Sequence, residues 1–373
     1  MASWEPRLSG MEELPENVLL RIFTKLHAFD LIRAALSSPL LRAVATSAAH
    51  LIPRCSVMSI VIKDPKAGLG FCAHDPSRNA WLFFPLHFLT MPRVQRRILL
   101  TGDGGNVCMD SQWINRKSES DENAREKAFI VFNPITGSKR LILYPHDTLD
   151  PEAVGIKYDT VSDRYELFAL IECGSRRHVM VRYASLTSTW RTMEAFSVEE
   201  GFRLDSHTIV CCNSVLFTLW KGLNAFKIFS VDGCVVNAVE LPQTKQSIYT
   251  SVSLMEFGGT LHIVIVEEDC LSRDVCVWKL QNDRKWSLVS RMPGHLKPPR
   301  EPLANVRIMG CLGINGVLYI DCMRFYAMQS VLTYDISKDQ WSWIEGDKAC
   351  LPFSVSFLPG FTAIFEPSLT AVA

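Results

Sequence analysis

The sequence has 373 residues, of which 48% are hydrophobic and 21% charged, with 39 basic and 39 acidic side chains. This composition is typical of a folded chain with a large core and excludes extensive disorder. A formal net charge of zero at pH 7 argues against a surface that neutralises nucleic-acid phosphates, and equally against attachment to a membrane by charge.

The first ten residues are expected to form a flexible N-terminus. The opening stretch "MASWEPRLSGMEELPE" has no apolar segment, so we expect no secretory leader, and no apolar run is long enough to predict a membrane-spanning helix. The 12 cysteines are scattered and no C-x-x-C occurs. We therefore expect reduced thiols and a place in the cytoplasm, the nucleus or both.

Residues 11–52 have the pattern of three short helices. Apolar residues recur with helical spacing at Val18, Leu19, Ile22, Phe23 and Leu26. Pro15 suits the first turn of this helix, Asp30 can cap a second helix, and Ser38 followed by Pro39 predicts the start of a third. So few residues bury too little surface to be stable alone, which predicts that their apolar side chains contact something else.

From residue 56 the pattern changes to short strands that repeat about every 50 residues. One landmark is a polar turn followed by a strand that often begins with Trp. The equivalent positions are Trp81, Lys139, Trp190, Ala238, Trp286 and Trp341, separated by 58, 51, 48, 48 and 55 residues. A second landmark, a tight turn before a strand, lies upstream in most units, as in "GGTLHIVIV". Four strands per unit predict a β-propeller of six blades over residues 56–365. Seven blades and a β-sandwich are the alternatives.

The ring is expected to close through the end of the chain. The first unit is short of one strand, whereas "PFSVSFLPGFTAIF" remains unused after the sixth unit. Because an open ring leaves unpaired edges, we expect this segment to add a strand to the first blade, followed by a tail at 366–373. The repeat of Trp with the blade period predicts that these side chains pack between adjacent blades.

These patterns carry a resemblance to a known family. The stretch "LPENVLLRIFTKLHAFDLIRAALSSPLLRAV" resembles the F-box. The segments "VFNPITGSKRLILYP" and "AVGIKYDTVSDRYELFAL" resemble the kelch-type or F-box-associated domain of the large plant F-box family. The resemblance implies a multidomain α plus all-β chain, with a small three-helix F-box followed by a six-bladed kelch-like propeller.

The resemblance also implies a function. F-box helices dock onto a Skp-type adaptor, which leads to a cullin-RING ubiquitin ligase, while the propeller binds the protein to be ubiquitinated. The implied adaptor-binding residues are Leu14, Pro15, Val18, Ile22, Leu26, Asp30, Leu31, Leu36 and Leu40. Leu40 stands where the family usually has an aromatic ring, which would weaken adaptor binding. Alternatively, the helices only pack onto the first blade, through Leu14, Pro15, Val18, Ile22, Leu26 and Leu31.

The sequence offers no constellation for catalysis. The common phosphate-binding, nucleophile-elbow, zinc-protease and calcium-loop motifs are absent. The nine His are dispersed and are expected to be turn or core residues. The acidic run Glu267, Glu268 and Asp269 is expected to be a solvated loop end, and "GDGGN" at 102–106 a hairpin turn. We expect no enzyme activity, cofactor or metal. The alternative is a propeller enzyme or a glycan- or small-molecule-binding protein with a helical cap.

Overall fold

The computed structural model describes residues 14–23, 25–26, 28–48, 58–64, 68–75, 80–86, 100–110, 128–145, 150–159, 161–174, 176–223, 225–233, 235–242, 248–268, 273–296, 307–314, 316–324, 328–344, 364–365 and 373. The predicted N-terminal segment 1–10 and tail residues 366–372 lie outside these ranges. Within them, no helix has the length and apolar character needed to cross a membrane.

Three helices open the described chain: α1 (Glu16–Phe23), α2 (Ala28–Ser37) and α3 (Pro39–Ala48). The carbonyl oxygen of Pro15 accepts the N–H groups of Val18 and Leu19 at 2.9 and 3.0 Å, which starts α1. The third helix begins at Pro39 as the sequence predicts, and the Ser38 carbonyl accepts the Arg42 N–H at 2.9 Å.

The start of α2 differs from the prediction. The helix begins at Ala28, so Asp30 lies inside its first turn instead of capping it. A carboxylate there still benefits from the positive end of the helix. Asp30 also lies 3.7 Å from the guanidinium of Arg33, one turn further along the same helix.

The strands form six antiparallel sheets. We name five of them blades I to V in chain order. Their strands are β4 (Leu100–Asp103), β5 (Asn106–Asp110), β6 (Ala128–Phe132) and β7 (Lys139–Leu143) in blade I; β8 (Pro151–Asp159), β9 (Arg164–Glu172), β10 (Arg177–Ala184) and β11 (Thr189–Ser197) in blade II; β12 (Arg203–Leu204), β13 (Val210–Cys212), β14 (Val215–Lys221), β15 (Phe226–Asp232) and β16 (Val235–Val239) in blade III; β17 (Ile248–Phe257), β18 (Thr260–Glu268), β19 (Arg273–Leu280) and β20 (Trp286–Arg291) in blade IV; and β21 (Arg307–Ile314), β22 (Val317–Arg324), β23 (Met328–Asp335) and β24 (Gln340–Ile344) in blade V.

The sixth sheet, which we call the closing sheet, joins the two ends of the propeller segment. It contains β1 (Met58–Asp64), β2 (Gly68–Asp75), β3 (Ala80–Pro85) and β25 (Ile364–Phe365). The C-terminal strand β25 pairs with β1, with Met58 opposite Phe365, as the sequence predicts. The strand β25 also contacts β21 of blade V and β4 of blade I.

The hydrophobic cores lie between neighbouring blades. Four clusters of buried side chains join blades I and II, II and III, III and IV, and IV and V. The structure thus describes five blades with their packing, where the sequence predicted six. The closing sheet is described mainly by its backbone pairing. Helices followed by a β-propeller are correctly predicted.

Tight turns join the first and second strands of the blades. Gly104 and Gly105 form the turn between β4 and β5 with φ of +55° and +85°, so "GDGGN" is a hairpin turn as expected. A Cβ on Gly104 would lie 2.3 Å from the Tyr158 ring. Close approach of the next blade therefore requires glycine here, in addition to the left-handed backbone.

The outer strands are linked by tryptophan side chains. The indole N–H of Trp190 donates to the Leu143 carbonyl of the preceding blade at 2.8 Å. In the same way Trp286 donates to the Glu240 carbonyl at 2.7 Å and Trp341 to the Ser290 hydroxyl at 3.0 Å. These three Trp residues therefore make contacts between blades, as the sequence predicts, whereas the side chain of Trp81 lies outside the described part of the chain.

Replacing Trp286 by Phe tests this link. The ring is kept but the bond to the Glu240 carbonyl is lost, so we expect a loss of about 1 kcal/mol in the free energy of unfolding, measured by urea denaturation. Trp278 is the matched control because it packs against the same core and its indole N–H has no hydrogen-bond partner among the described residues. Equal losses for Trp286→Phe and Trp278→Phe would contradict the prediction.

Candidate functional site

The three helices enclose a small core of their own. Its buried side chains are Leu19, Phe23, Leu31, Ala35, Leu41, Val44 and Ala45. The Arg42 guanidinium donates from Nε to the Ala35 carbonyl at 3.0 Å, which fastens α3 to the C-terminal half of α2. Because this core is small, part of the apolar surface of the helices is left uncovered.

Two large apolar side chains are exposed among those that the structure describes in the helices. Val18 on α1 is 37% exposed and Leu40 at the start of α3 is 44% exposed. Pro15 is also exposed, directly before α1. We call Pro15, Val18 and Leu40 the helical surface. These side chains are apolar groups that a partner could cover.

The other predicted adaptor-binding residues have different positions. Leu14, Ile22 and Leu26 are partly buried and pack against the helical core. Asp30 is half-buried. The side chain of Leu36 lies outside the described part of the chain.

Leu31 requires a correction. It is completely buried, so it cannot contact an adaptor directly while the helices keep this packing. The reason is that Leu31 lies on the face of α2 that meets the rest of the helical core. Leu31 therefore stabilises the helices that carry the helical surface.

A cavity of about 150 Å³ lies where the first strands of blades I to V meet. Its walls include Asp103, Lys157 and Glu256. Both carboxylates accept hydrogen bonds from backbone N–H groups. Asp103 accepts the Tyr158 N–H at 2.6 Å, and Glu256 accepts the Gly259 N–H at 2.7 Å. These bonds give the two carboxylates structural roles at the ends of the inner strands.

Two thiols also line this cavity, Cys211 and Cys311. Burial raises the pKa of Cys311 to about 12, and burial likewise raises the pKa of Cys211. A thiol with a raised pKa is protonated at neutral pH and is a poor nucleophile. These two cysteines are therefore not activated for covalent chemistry.

The acidic run at the end of β18 differs from the expected solvated loop end. Glu267 is only 3% exposed, so it is not part of a solvated loop end. The Arg291 guanidinium binds Glu267 at 3.1 Å and Asp274 at 2.8 Å, joining β18, β19 and β20. Burial, followed by the negative charge of Glu267, raises the pKa of Cys276 beside this group to about 12. Asp269 lies outside the described residues.

One further group of polar side chains was not predicted. Glu152, Glu172 and His178 come together in blade II, and among the described residues they are the one group arranged so as to hold a metal ion. Glu172 and His178 flank a short hairpin, and hairpin pairing alone could have placed them opposite each other. Glu152 is brought near them by the pairing of β8 with β9, and the spacing of these residues along the sequence does not reveal that pairing.

Comparison with known proteins identifies the helical unit. Residues 11–50 match the model of the F-box domain. The chain therefore contains an F-box domain, formed by α1 to α3, followed by a β-propeller. F-box domains generally bind Skp1-type adaptors in SCF complexes, and proteins that carry them are typically non-catalytic adaptors. No curated protein matches the chain.

Three solved structures with a distant resemblance to the chain illustrate the comparison. TolB from Acinetobacter baumannii has 9% identity and a TM-score of 0.49, covering 88% of this chain and 73% of its own. The six-bladed, fucose-recognising Aleuria aurantia lectin has 9% identity and a TM-score of 0.46, covering 73% and 85%. The periplasmic gluconolactonase PpgL of Pseudomonas aeruginosa has 13% identity and a TM-score of 0.44, covering 78% and 82%. Similarities this distant do not indicate an activity.

Leu31 and Leu40 should respond differently to truncation. Leu31→Ala leaves a cavity in the helical core, a change that costs about 2–5 kcal/mol, so the amides of α1 to α3 should lose protection from hydrogen exchange. Leu40→Ala removes an exposed side chain, so its effect should stay within about 0.5 kcal/mol. Hydrogen exchange followed by mass spectrometry measures both. Equal loss of protection in the two variants would place Leu40 in the core.

Proposed function

We propose that this protein is the substrate-recognition subunit of an SCF-type ubiquitin ligase. The observation that carries the proposal is the match of residues 11–50 to the F-box domain, together with the exposure of Val18 and Leu40 on the helices that form it. The Skp-type adaptor is the proposed occupant of the helical surface, and through it the chain joins a cullin-RING ligase.

The size of the helical unit supports this role. A stable interface typically buries about 1,200–2,000 Å² in total, with an apolar centre and a polar rim. The helical surface supplies apolar groups for such a centre, and the exposed Glu16, Arg21 and Lys25 of α1 and the turn after it can contribute to a rim. The buried Leu31 and Phe23 hold the helices in the shape that presents these groups.

The propeller is the proposed substrate-binding part. Its blades are rigid units with interlocking cores, and loops at their ends can vary without disturbing those cores. We assign it to the kelch-like type found in plant F-box proteins, and the protein that it binds is unidentified. Ubiquitin transfer takes place on other subunits, so this chain acts without catalysis, in the cytoplasm or nucleus.

Charged substitutions on the helical surface test the adaptor interface. Leu40→Asp and Val18→Asp should each weaken binding of a purified Skp-type adaptor at least tenfold, because a carboxylate buried at an apolar interface loses its hydration. Biolayer interferometry with the full chain measures the dissociation constant. Leu40→Met should retain binding within about threefold, since it preserves apolar volume.

Leu223→Asp is the matched control. Leu223 is 96% exposed in blade III, far in sequence from the helices, so this variant undergoes the same chemical change on the propeller and should bind the adaptor normally. Unchanged affinity in both Leu40→Asp and Val18→Asp would contradict the proposed interface. Equal weakening by Leu223→Asp would show an effect unrelated to the helical surface.

The Leu40→Asp variant can also reveal the substrate. Full-length Leu40→Asp should still bind its substrate through the propeller but no longer deliver it to the ligase. The expected substrates are therefore proteins that co-purify from cells with both the unsubstituted chain and Leu40→Asp, and that become more abundant with Leu40→Asp. If the proteins bound by the two forms are ubiquitinated and degraded equally, the substrate-recognition role is wrong.

A further inference from the structure

We propose that Glu152, Glu172 and His178 of blade II bind a divalent transition-metal ion that fastens the β9–β10 hairpin to β8. The inference concerns the propeller alone and does not depend on adaptor binding. The ligand atoms of the three side chains all lie within 4.8 Å of one another. They come from the second residue of β8, the last residue of β9 and the second residue of β10, so one ion would join three strands at the same end of the blade.

The orientation of the His178 ring is fixed by its surroundings. Its side chain is 6% exposed, and the ring packs edge-on against Trp220 with centroids 4.8 Å apart and lies 6.0 Å from the Phe196 ring. Nδ1 lies 3.2 Å from the carbonyl oxygen of Arg176, which can only accept a hydrogen bond. The hydrogen of a neutral ring is therefore on Nδ1, and Nε2 presents a lone pair.

This lone pair faces a carboxylate. Nε2 lies 3.0 Å from Oε2 of Glu152, an atom that is also an acceptor when ionised. Two acceptors at this distance require a cation or a proton between them. Metal-binding histidines usually donate their other ring N–H to a backbone carbonyl or carboxylate, which is the arrangement of Nδ1 here.

The distance indicates which ions fit. With metal–ligand bonds of about 2.1 Å, a separation of 3.0 Å corresponds to an angle of about 90° at the ion, whereas a tetrahedral site needs about 3.4 Å. An angle near 90° is typical of octahedral coordination. Carboxylate and imidazole ligands suit Mn²⁺ and similar ions, and two carboxylates balance the ion's charge. Glu172 is exposed, so its side chain can adjust to complete the set, with water in the remaining positions.

Titration of the metal-free, full-length protein with Mn²⁺ tests the site. Free hexaaqua Mn²⁺ is measured by electron paramagnetic resonance, and we expect one equivalent to be bound with saturation. Glu172→Gln and Glu152→Gln should each weaken this binding at least tenfold, because each removes a charged ligand while preserving side-chain shape. Circular dichroism confirms that both variants remain folded.

Two controls address the other groups that bind metals. Glu194→Gln removes a carboxylate from β11 of the same blade, and Cys173→Ser removes the exposed thiol next to Glu172. Both variants should bind Mn²⁺ as the unsubstituted chain does. A chain that binds no equivalent of Mn²⁺, or binding that Glu172→Gln leaves unchanged, would overturn the proposal. In that outcome the 3.0 Å contact between His178 and Glu152 is a hydrogen bond formed without a metal ion.

Discussion

The small size of the three-helix unit is the constraint on which the proposed function depends. Its core consists of a few side chains around Phe23 and Leu31, and this is too little to cover the apolar residues of all three helices. Val18 and Leu40 therefore remain exposed. A partner that covers them gains apolar burial, and the helical unit gains the stability that its own core does not supply.

The propeller, unlike the helical unit, has large hydrophobic cores of its own. Blades II, III and IV each bury both faces against their neighbours, and indole hydrogen bonds such as that from Trp286 to Glu240 connect the outer strands. The pairing of β25 with β1 protects a strand edge that would otherwise be open. A unit held at its inner and outer strands can present loops in fixed positions. The carboxylate groups around Arg291 and His178 add connections between strands within single blades.

Much of this fold is predictable from the sequence because its signals are local. Positive φ at Gly104 and Gly105 favours glycine, and the bridging Trp residues recur with the blade period, so turns and outer strands are visible as patterns. The unused C-terminal segment indicates closure because an open edge is unfavourable. The burial of Leu31 is not predictable in this way, since helical spacing gives two apolar faces and only the packing of α2 on its neighbours decides between them. The burial of Glu267 likewise depends on Arg291, 24 residues away. The blade count rests on the closing sheet, whose side-chain packing falls largely outside the described residues.

The most direct test of the proposed adaptor-binding surface is hydrogen exchange of the full chain, measured with and without a purified Skp-type adaptor. Binding at the helical surface should slow exchange of amides in α1 and at the start of α3, near Val18 and Leu40, while amides of blades I to V keep their rates. Protection confined to the blades, or no change in the helices at saturating adaptor, would contradict the assignment of this surface to the adaptor.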